Sequence, residues 1–105
     1  MAESPVFEWA CSMVQRGLGW SRLQARGTVR LVVRDAGLDA RTLRGYQLRV
    51  LAQRVLPKEL KARGAEEVDV LCSALTHCPE EIEADTKARV PVDPEEVFKR
   101  LGGRV

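Results

Sequence analysis

The clearest helix in this sequence is encoded by WSRLQARGTVRLVVRDAGL, residues 20–38. Ser21 and Gln24 have the spacing of a capping box, which marks the start of a helix. Small apolar residues then recur at helical spacing and would let a second helix approach closely: Ala25, Val29, Val32 and Ala36. Gly37 has the position of a C-cap glycine. We therefore predict a helix over residues 22–36.

The same signals predict helices along most of the chain. Ser4 and Pro5 have the pattern of an N-cap and a first helical residue, and Gly17 is expected to end this first helix. The remaining predicted helices are residues 43–56, a short helix over 57–63 after Pro57, and residues 66–77. Residues 43–56 carry apolar side chains on two faces, which favours a position near the centre of the bundle.

The C-terminal third differs in composition. From Glu80 to Pro91 the chain is polar and acidic, with little to bury, so we predict a loop or loosely held segment there, as part of an acidic linker over residues 79–92. Asp93-Pro94-Glu95-Glu96 is a strong helix start, and a short C-terminal helix and tail should follow over residues 93–105. The predicted fold is all-α: a compact bundle of four main helices over residues 1–78, which includes the short helix after Pro57, then the linker and the C-terminal helix.

Length and composition restrict the class of protein. A chain of 105 residues with 45% hydrophobic and 30% charged residues suits one globular domain. The N-terminus lacks the pattern of a secretory signal, and an odd number of cysteines, three, favours reduced thiols and therefore a cytoplasmic location. No apolar run approaches the roughly 18–20 residues needed to cross a bilayer, so we expect no membrane insertion.

The small net charge of +2 hides two oppositely charged parts. Residues 1–64 hold twelve Lys and Arg against five Asp and Glu, a net of +7. Residues 65–105 hold five against ten, a net of −5. Such asymmetry predicts either that the two parts pair with each other or that the basic part meets an anionic partner.

Four arginines repeat every fourth residue along the helix predicted over residues 22–36, and together they form a row about 18 Å long. The candidate binding residues are this row and three nearby arginines: Arg22, Arg26, Arg30, Arg34, Arg41, Arg44 and Arg49. The row has three interpretations: a solvated face, an external anionic partner, or an internal pairing. The internal acids considered are Glu80, Glu81, Glu83, Asp85, Glu95 and Glu96.

Two binding hypotheses follow from the arginines. The leading one is a small regulatory or adaptor domain that binds an acidic protein surface. The alternative is a nucleic-acid-binding module, because residues 29–48 resemble a loose helix-turn-helix in which Arg41, Arg44, Gln47 and Arg49 lie on the recognition helix. Binding to a second copy of the same chain, as a homo-oligomer, is a further hypothesis.

Signatures of catalysis and of cofactor binding are missing from the sequence. There is no P-loop, dinucleotide fingerprint, nucleophile elbow or metalloprotease motif. Cys72, His77 and Cys78 do not have zinc-ligand spacing, so buried thiols and a helix-end histidine explain them better. We therefore predict no cofactor, no metal site and no enzymatic activity.

Overall fold

The computed structural model of the chain describes residues 3–89, and every regular element within them is a helix. The six helices are α1 Pro5–Leu18, α2 Arg22–Asp35, α3 Gly45–Arg54, α4 Leu56–Ala62, α5 Val68–Leu75 and α6 Glu80–Arg89. The all-α prediction is confirmed, as is the short helix at Pro57. The predicted C-terminal helix over 93–105 lies outside the described residues.

The start of α1 depends on Ser4. Its hydroxyl accepts from the Phe7 N–H at 3.1 Å and donates to the Leu43 carbonyl at 2.8 Å. The Ser4 N–H also donates to the Ala40 carbonyl at 3.0 Å. One N-cap residue therefore begins α1 and fixes it to the connection between α2 and α3.

Both predicted ends of α2 are close to the observed ones. The Ser21 hydroxyl accepts from the Gln24 N–H at 3.1 Å, as the capping spacing predicted. At the other end Gly37 adopts the left-handed conformation, with φ of 79°, and the Leu38 N–H donates to the Val33 carbonyl at 3.0 Å. This pattern is that of a Schellman C-cap.

The central helix is α1, and the prediction that residues 43–56 lie at the centre is wrong. α1 packs against α2, α3, α5 and α6, and Val6, Phe7, Ala10 and Val14 are fully buried. The second apolar face expected on α3 is largely solvated, because Tyr46 is 60% exposed.

Two helices begin later than predicted. Arg44 has extended backbone, and α3 starts at Gly45 rather than at 43. Glu67 has a φ of 53°, a left-handed conformation, so the chain enters α5 only at Val68. The acidic pair at 66–67 thus precedes α5 and does not form its first turn. The end of α1 also differs from the prediction. Gly17 was expected to end this helix but lies within it, because α1 runs to Leu18.

The expected acidic linker contains a helix, α6, that packs against α1. Its one fully buried side chain is Thr86, whose hydroxyl accepts from the Val6 N–H at 3.2 Å and donates to the Ile82 carbonyl at 2.9 Å. Ile82 packs at the edge of the core. The prediction of a loop was wrong. This helix is held by hydrogen bonds and one apolar side chain, so its sequence lacks the periodic apolar pattern by which a helix is recognised.

Candidate partner-binding surface

The arginine row of α2 does not act as one surface, because its members meet different surroundings. α2 buries Ala25, Val29 and Val32 against the rest of the molecule. Each further residue of a helix turns by about 100°, so the row passes gradually from the edge of this buried side to the outward side. Arg26 has a side chain only 18% exposed, whereas that of Arg34 is 75% exposed.

Arg26 and Arg30 are neutralised by acids from the start of the chain. Arg26 donates to Glu8 at 2.7 and 3.1 Å and to Glu3 at 2.6 Å. Arg30 donates to the other oxygen of Glu3 at 2.9 Å. Both guanidinium carbons also lie over the Phe7 ring, 5.6 and 5.7 Å from its centroid, within range of a cation–π contact.

This cluster offsets the repulsion between neighbouring arginines, about 0.2–0.5 kcal/mol per pair. Burial alone would raise the pKa of Glu3, but a backbone hydrogen bond, the hydrogen bond from Arg30 and the charges of Arg30 and Arg26 lower it below its ordinary value. The internal partners of the row are thus Glu3 and Glu8. In the described part of the chain, the acids of α6 do not fill that role.

An acid of α6 binds a different candidate residue, Arg44. The Glu83 carboxylate accepts from Arg44 Nε at 2.9 Å and from the Gly45 N–H at 2.7 Å. It therefore caps the N-terminus of α3, where the helix dipole favours a negative charge. A side chain at position 45 would put its Cβ 2.8 Å from Glu83 Oε2, so glycine is needed for this approach. Arg44 also lies over the Tyr46 ring, 5.7 Å from its centroid.

The other two candidates outside α2 are exposed. Arg41 binds Asp39 within one turn at 2.9 Å, and its hydrogen bonds lower the pKa of Asp39. Arg49 is exposed on α3 and, within residues 3–89, forms no salt bridge. The seven predicted arginines are therefore not gathered into a single site.

The geometry also departs from a helix-turn-helix. Residues 36–44 connect α2 to α3, a nine-residue link, whereas the motif uses a turn of about three to four residues. Arg41 and Arg44 precede α3 and do not lie on it. Gln47 is occupied at the helix start, where its side chain accepts from the Arg44 N–H at 2.9 Å.

What α2 presents to solvent is a narrower surface, which we call the outer face of α2. It consists of Leu23, Gly27, Arg30 and Arg34, which fall within an arc of about 60°. Leu23 is 84% exposed, and a Cβ added at Gly27 would meet no atom within 4 Å. Within residues 3–89, the one carboxylate that Arg34 approaches is that of the exposed Asp35, at 4.0 Å. The outer face thus combines an exposed leucine, an open stretch of backbone and a guanidinium group with little internal pairing.

The cysteines are held as free thiols. Burial raises the pKa of Cys11 to about 12 and that of Cys72 to about 11. Such thiols carry almost no thiolate near neutral pH and are poor nucleophiles. Across residues 3–89, no three His, Cys, Asp or Glu side chains are grouped as a metal site would require.

Comparison with known protein families, with curated proteins and with solved structures gives no match for this chain. Among the six described helices, none has the length and apolarity needed to cross a membrane.

Proposed function

We propose that this chain is a small non-catalytic adaptor or regulatory domain of the cytoplasm that binds an acidic protein partner through the outer face of α2. The observation that carries the proposal is Gly27, an open mid-helix glycine between a highly exposed Leu23 and the cations Arg30 and Arg34. Each of these features is common on protein surfaces, and their combination on one arc supports binding.

Gly27 is unfavourable for the isolated helix. A glycine within a helix costs about 0.8–1 kcal/mol relative to alanine, and the described molecule makes no use of its missing side chain. At an interface, the absence of a Cβ lets a partner backbone approach closely. Leu23 would then supply an apolar anchor next to the point of closest approach.

The two cations define the partner's chemistry. Arg30 and Arg34 are four residues apart, a rise of about 6 Å along the helix. Carboxylates spaced at i and i+4 on a partner helix have the same separation and would match them. Arg30 already donates to Glu3, yet half of its side chain is exposed, and its other N–H groups have no acceptor among residues 3–89. We therefore expect an amphipathic helix whose apolar face is bordered by acids.

The non-catalytic and cytoplasmic parts of the proposal are supported by the thiols. All three cysteines are free, and burial raises the pKa values of Cys11, Cys72 and Cys78. A thiol of this kind suits a reducing compartment and a structural role.

The test compares two double variants that change charge equally. Leu23→Asp with Arg34→Glu alters the outer face of α2, and Val50→Asp with Arg54→Glu makes the same changes at exposed positions of α3. Proteins captured by the unaltered chain would be identified by mass spectrometry, purified and titrated against all three forms. We expect the α2 variant to lose affinity at least about 30-fold, as for a binding hot spot, and the α3 variant to change little. The reverse result would move the interface to α3 and contradict the proposal.

The nucleic-acid alternative is decided by salt dependence. If Arg22, Arg30 and Arg34 contacted about three phosphates, the slope of log affinity against log salt concentration would be about −2.7. Duplex binding with that slope, abolished by the α2 variant, would support the alternative over a protein partner. Arg26→Glu is unsuitable for either test, because it would add a third carboxylate beside those of Glu3 and Glu8.

A further inference from the structure

A shallow depression of about 410 Å³ lies between α1 and α5, and no residue of α2 lines it. One wall belongs to α1 and consists of Met13, Arg16 and Gly17. The other wall belongs to α5 and to the residue before it. The two helices are close together here, because a Cβ added at Gly17 would lie 3.0 Å from Leu71 Cδ1. The two walls therefore form one continuous surface.

Four apolar side chains line this depression: Met13, Val70, Leu71 and Ala74. Val70 is 75% exposed, so an apolar side chain projects into solvent directly beside the depression. Methionine is flexible and can adapt its shape to a side chain that packs against it. The surface thus holds both a projecting apolar group and a place that can receive one.

The same surface carries one charge of each sign, on opposite walls. The guanidinium of Arg16 lies 3.9 Å from Met13 Sδ on the α1 wall. Glu67, on the α5 wall, has the left-handed φ of 53°, which glycine adopts more readily than a residue with a Cβ. Within residues 3–89, neither Arg16 nor Glu67 forms a salt bridge. A glutamate therefore occupies a position that favours glycine, and no cation of the described chain binds its carboxylate.

This arrangement of charges is complementary to a second copy of itself. In a symmetric dimer, if residue i of one copy contacts residue j of the other, then j also contacts i. A two-fold axis that runs along the depression, between α1 and α5, places the α1 wall of each copy against the α5 wall of its partner. The cation of one wall then meets the anion of the other, twice in each dimer. Two outer faces of α2 would instead bring like charges together, since both charged residues there are arginines.

We propose that this chain forms a symmetric dimer through the depression between α1 and α5, in which Val70 of each copy packs into the partner's depression and Arg16 pairs with the partner's Glu67. The contact uses none of the residues in the outer face of α2. The dimer therefore neither requires nor excludes the proposed function.

The dimer is tested by sedimentation equilibrium of the full chain. Because the contact is centred on one shallow depression, we expect a Kd of about 100 µM. The average mass should then rise from 11.7 kDa towards twice that value as the concentration passes through this Kd. A chain that remains a monomer at a concentration of about 1 mM, ten times this Kd, would overturn the proposal.

A pair of matched variants tests the apolar part of the contact. Val70→Asp should weaken the dimer at least about tenfold, because it places a carboxylate in an apolar contact. Leu23→Asp makes the same kind of change at an exposed position of α2 and should leave the dimer unchanged. A loss in Val70→Asp no larger than that in Leu23→Asp would contradict the proposed surface.

The charge pair is tested by mixing two variants. Arg16→Glu brings carboxylates together at each contact and Glu67→Arg brings guanidinium groups together, so each variant alone should dimerise at least about tenfold more weakly. An equal mixture should dimerise about as tightly as the unaltered chain, because each contact between the two variants again joins a carboxylate to a guanidinium group.

The mixture is informative because the net charges of the variants are 0 and +4, two below and two above that of the unaltered chain, so they do not attract each other in general. Both positions are exposed, and circular dichroism checks that each variant keeps its helices. Variants that dimerise normally by themselves, or a mixture that stays monomeric, would contradict the pairing of Arg16 with the partner's Glu67.

Discussion

α2 and α6 both pack against α1, but they are held by different kinds of contact. α2 buries a continuous apolar side that includes Val29, Val32 and Val33. α6 is fixed by two polar side chains, Thr86 at the start of α1 and Glu83 at the start of α3. α2 is therefore held by the burial of apolar side chains. α6 is held by side chains that accept hydrogen bonds from the N-terminal amides of α1 and α3.

This difference determines whether each helix can be recognised from the sequence. Apolar burial must recur at the helical period, so α2 can be recognised from its pattern. A hydrogen bond to a helix N-terminus needs one residue at one position and leaves no period. The contrast also predicts different responses to substitution.

The largest effect is expected in the apolar contact of α2. Val29→Asp places a carboxylate within the apolar core, at a position that is 1% exposed. Burying this charge without a cationic partner should lower the free energy of unfolding by more than about 4 kcal/mol. Leu23→Asp, on the opposite side of the same helix, should change stability by no more than about 0.5 kcal/mol. Urea unfolding followed by circular dichroism measures both. Similar losses in the two variants would contradict the assigned faces of α2.

The next effect concerns the cap that α6 provides to α3. Glu83→Ala removes the acceptor of both Arg44 Nε and the Gly45 N–H, and should cost about 2 kcal/mol. Glu81→Ala removes an exposed carboxylate of the same helix and should be nearly neutral. The comparison of the two unfolding midpoints tests the cap. A neutral Glu83→Ala would mean that α6 does not depend on it.

A smaller effect is expected at the start of α1. Thr86→Val keeps the shape of the side chain but leaves the buried Val6 N–H without its acceptor, at a cost of about 1–2 kcal/mol. Amide hydrogen exchange provides the specific readout, because the Val6 amide should exchange faster in this variant. Thr86→Ser retains the hydroxyl and should keep that amide protected. Equal exchange in both variants would show that the hydroxyl is not the acceptor.

The smallest effect belongs to the acids that neutralise α2. Because the folded-state pKa of Glu3 lies below its ordinary value of 4.5, its ionisation stabilises the fold. This contribution is complete above the ordinary pKa and is lost as the pH falls through the folded-state pKa. The stability advantage of the unaltered chain over Glu3→Gln should therefore shrink as the pH falls from the ordinary pKa of 4.5 through the lower folded-state pKa. Thermal unfolding across this range checks it, and parallel curves would contradict it.

Much of the fold could be predicted from the sequence because its signals are local. Ser4 and Ser21 lie within three residues of the amides that they cap, and the apolar positions of α2 recur at the period of a helix. The errors arose where tertiary contacts set the local structure. Glu83 and the extended backbone of Arg44 fix the start of α3, and no pattern within residues 43–56 reveals an acid that lies 38 residues beyond Gly45.

The candidate surface was predicted only in part, because periodicity gives the angle of a side chain but not its neighbours. Arg22 and Arg34 are exposed, as a solvated or partner-binding row requires. The pairing of Arg26 with Glu3 and Glu8 joins residues 18 and 23 positions apart, and charge counting favoured the more numerous C-terminal acids. The one available signal was that Glu3 and Glu8 are two of only five acids in residues 1–64.

The hydrogen bond between Val6 and Thr86 joins residues 80 positions apart and has a consequence for folding during synthesis. At a ribosomal rate of about 5–20 residues per second, Thr86 is added about 4–16 s after Val6. α1 can pair with α2 early, yet the second residue of α1 lacks its acceptor until nearly all of the described chain exists. The nascent domain should therefore keep a fraying first turn, accessible to proteases and chaperones, until α6 arrives to close it.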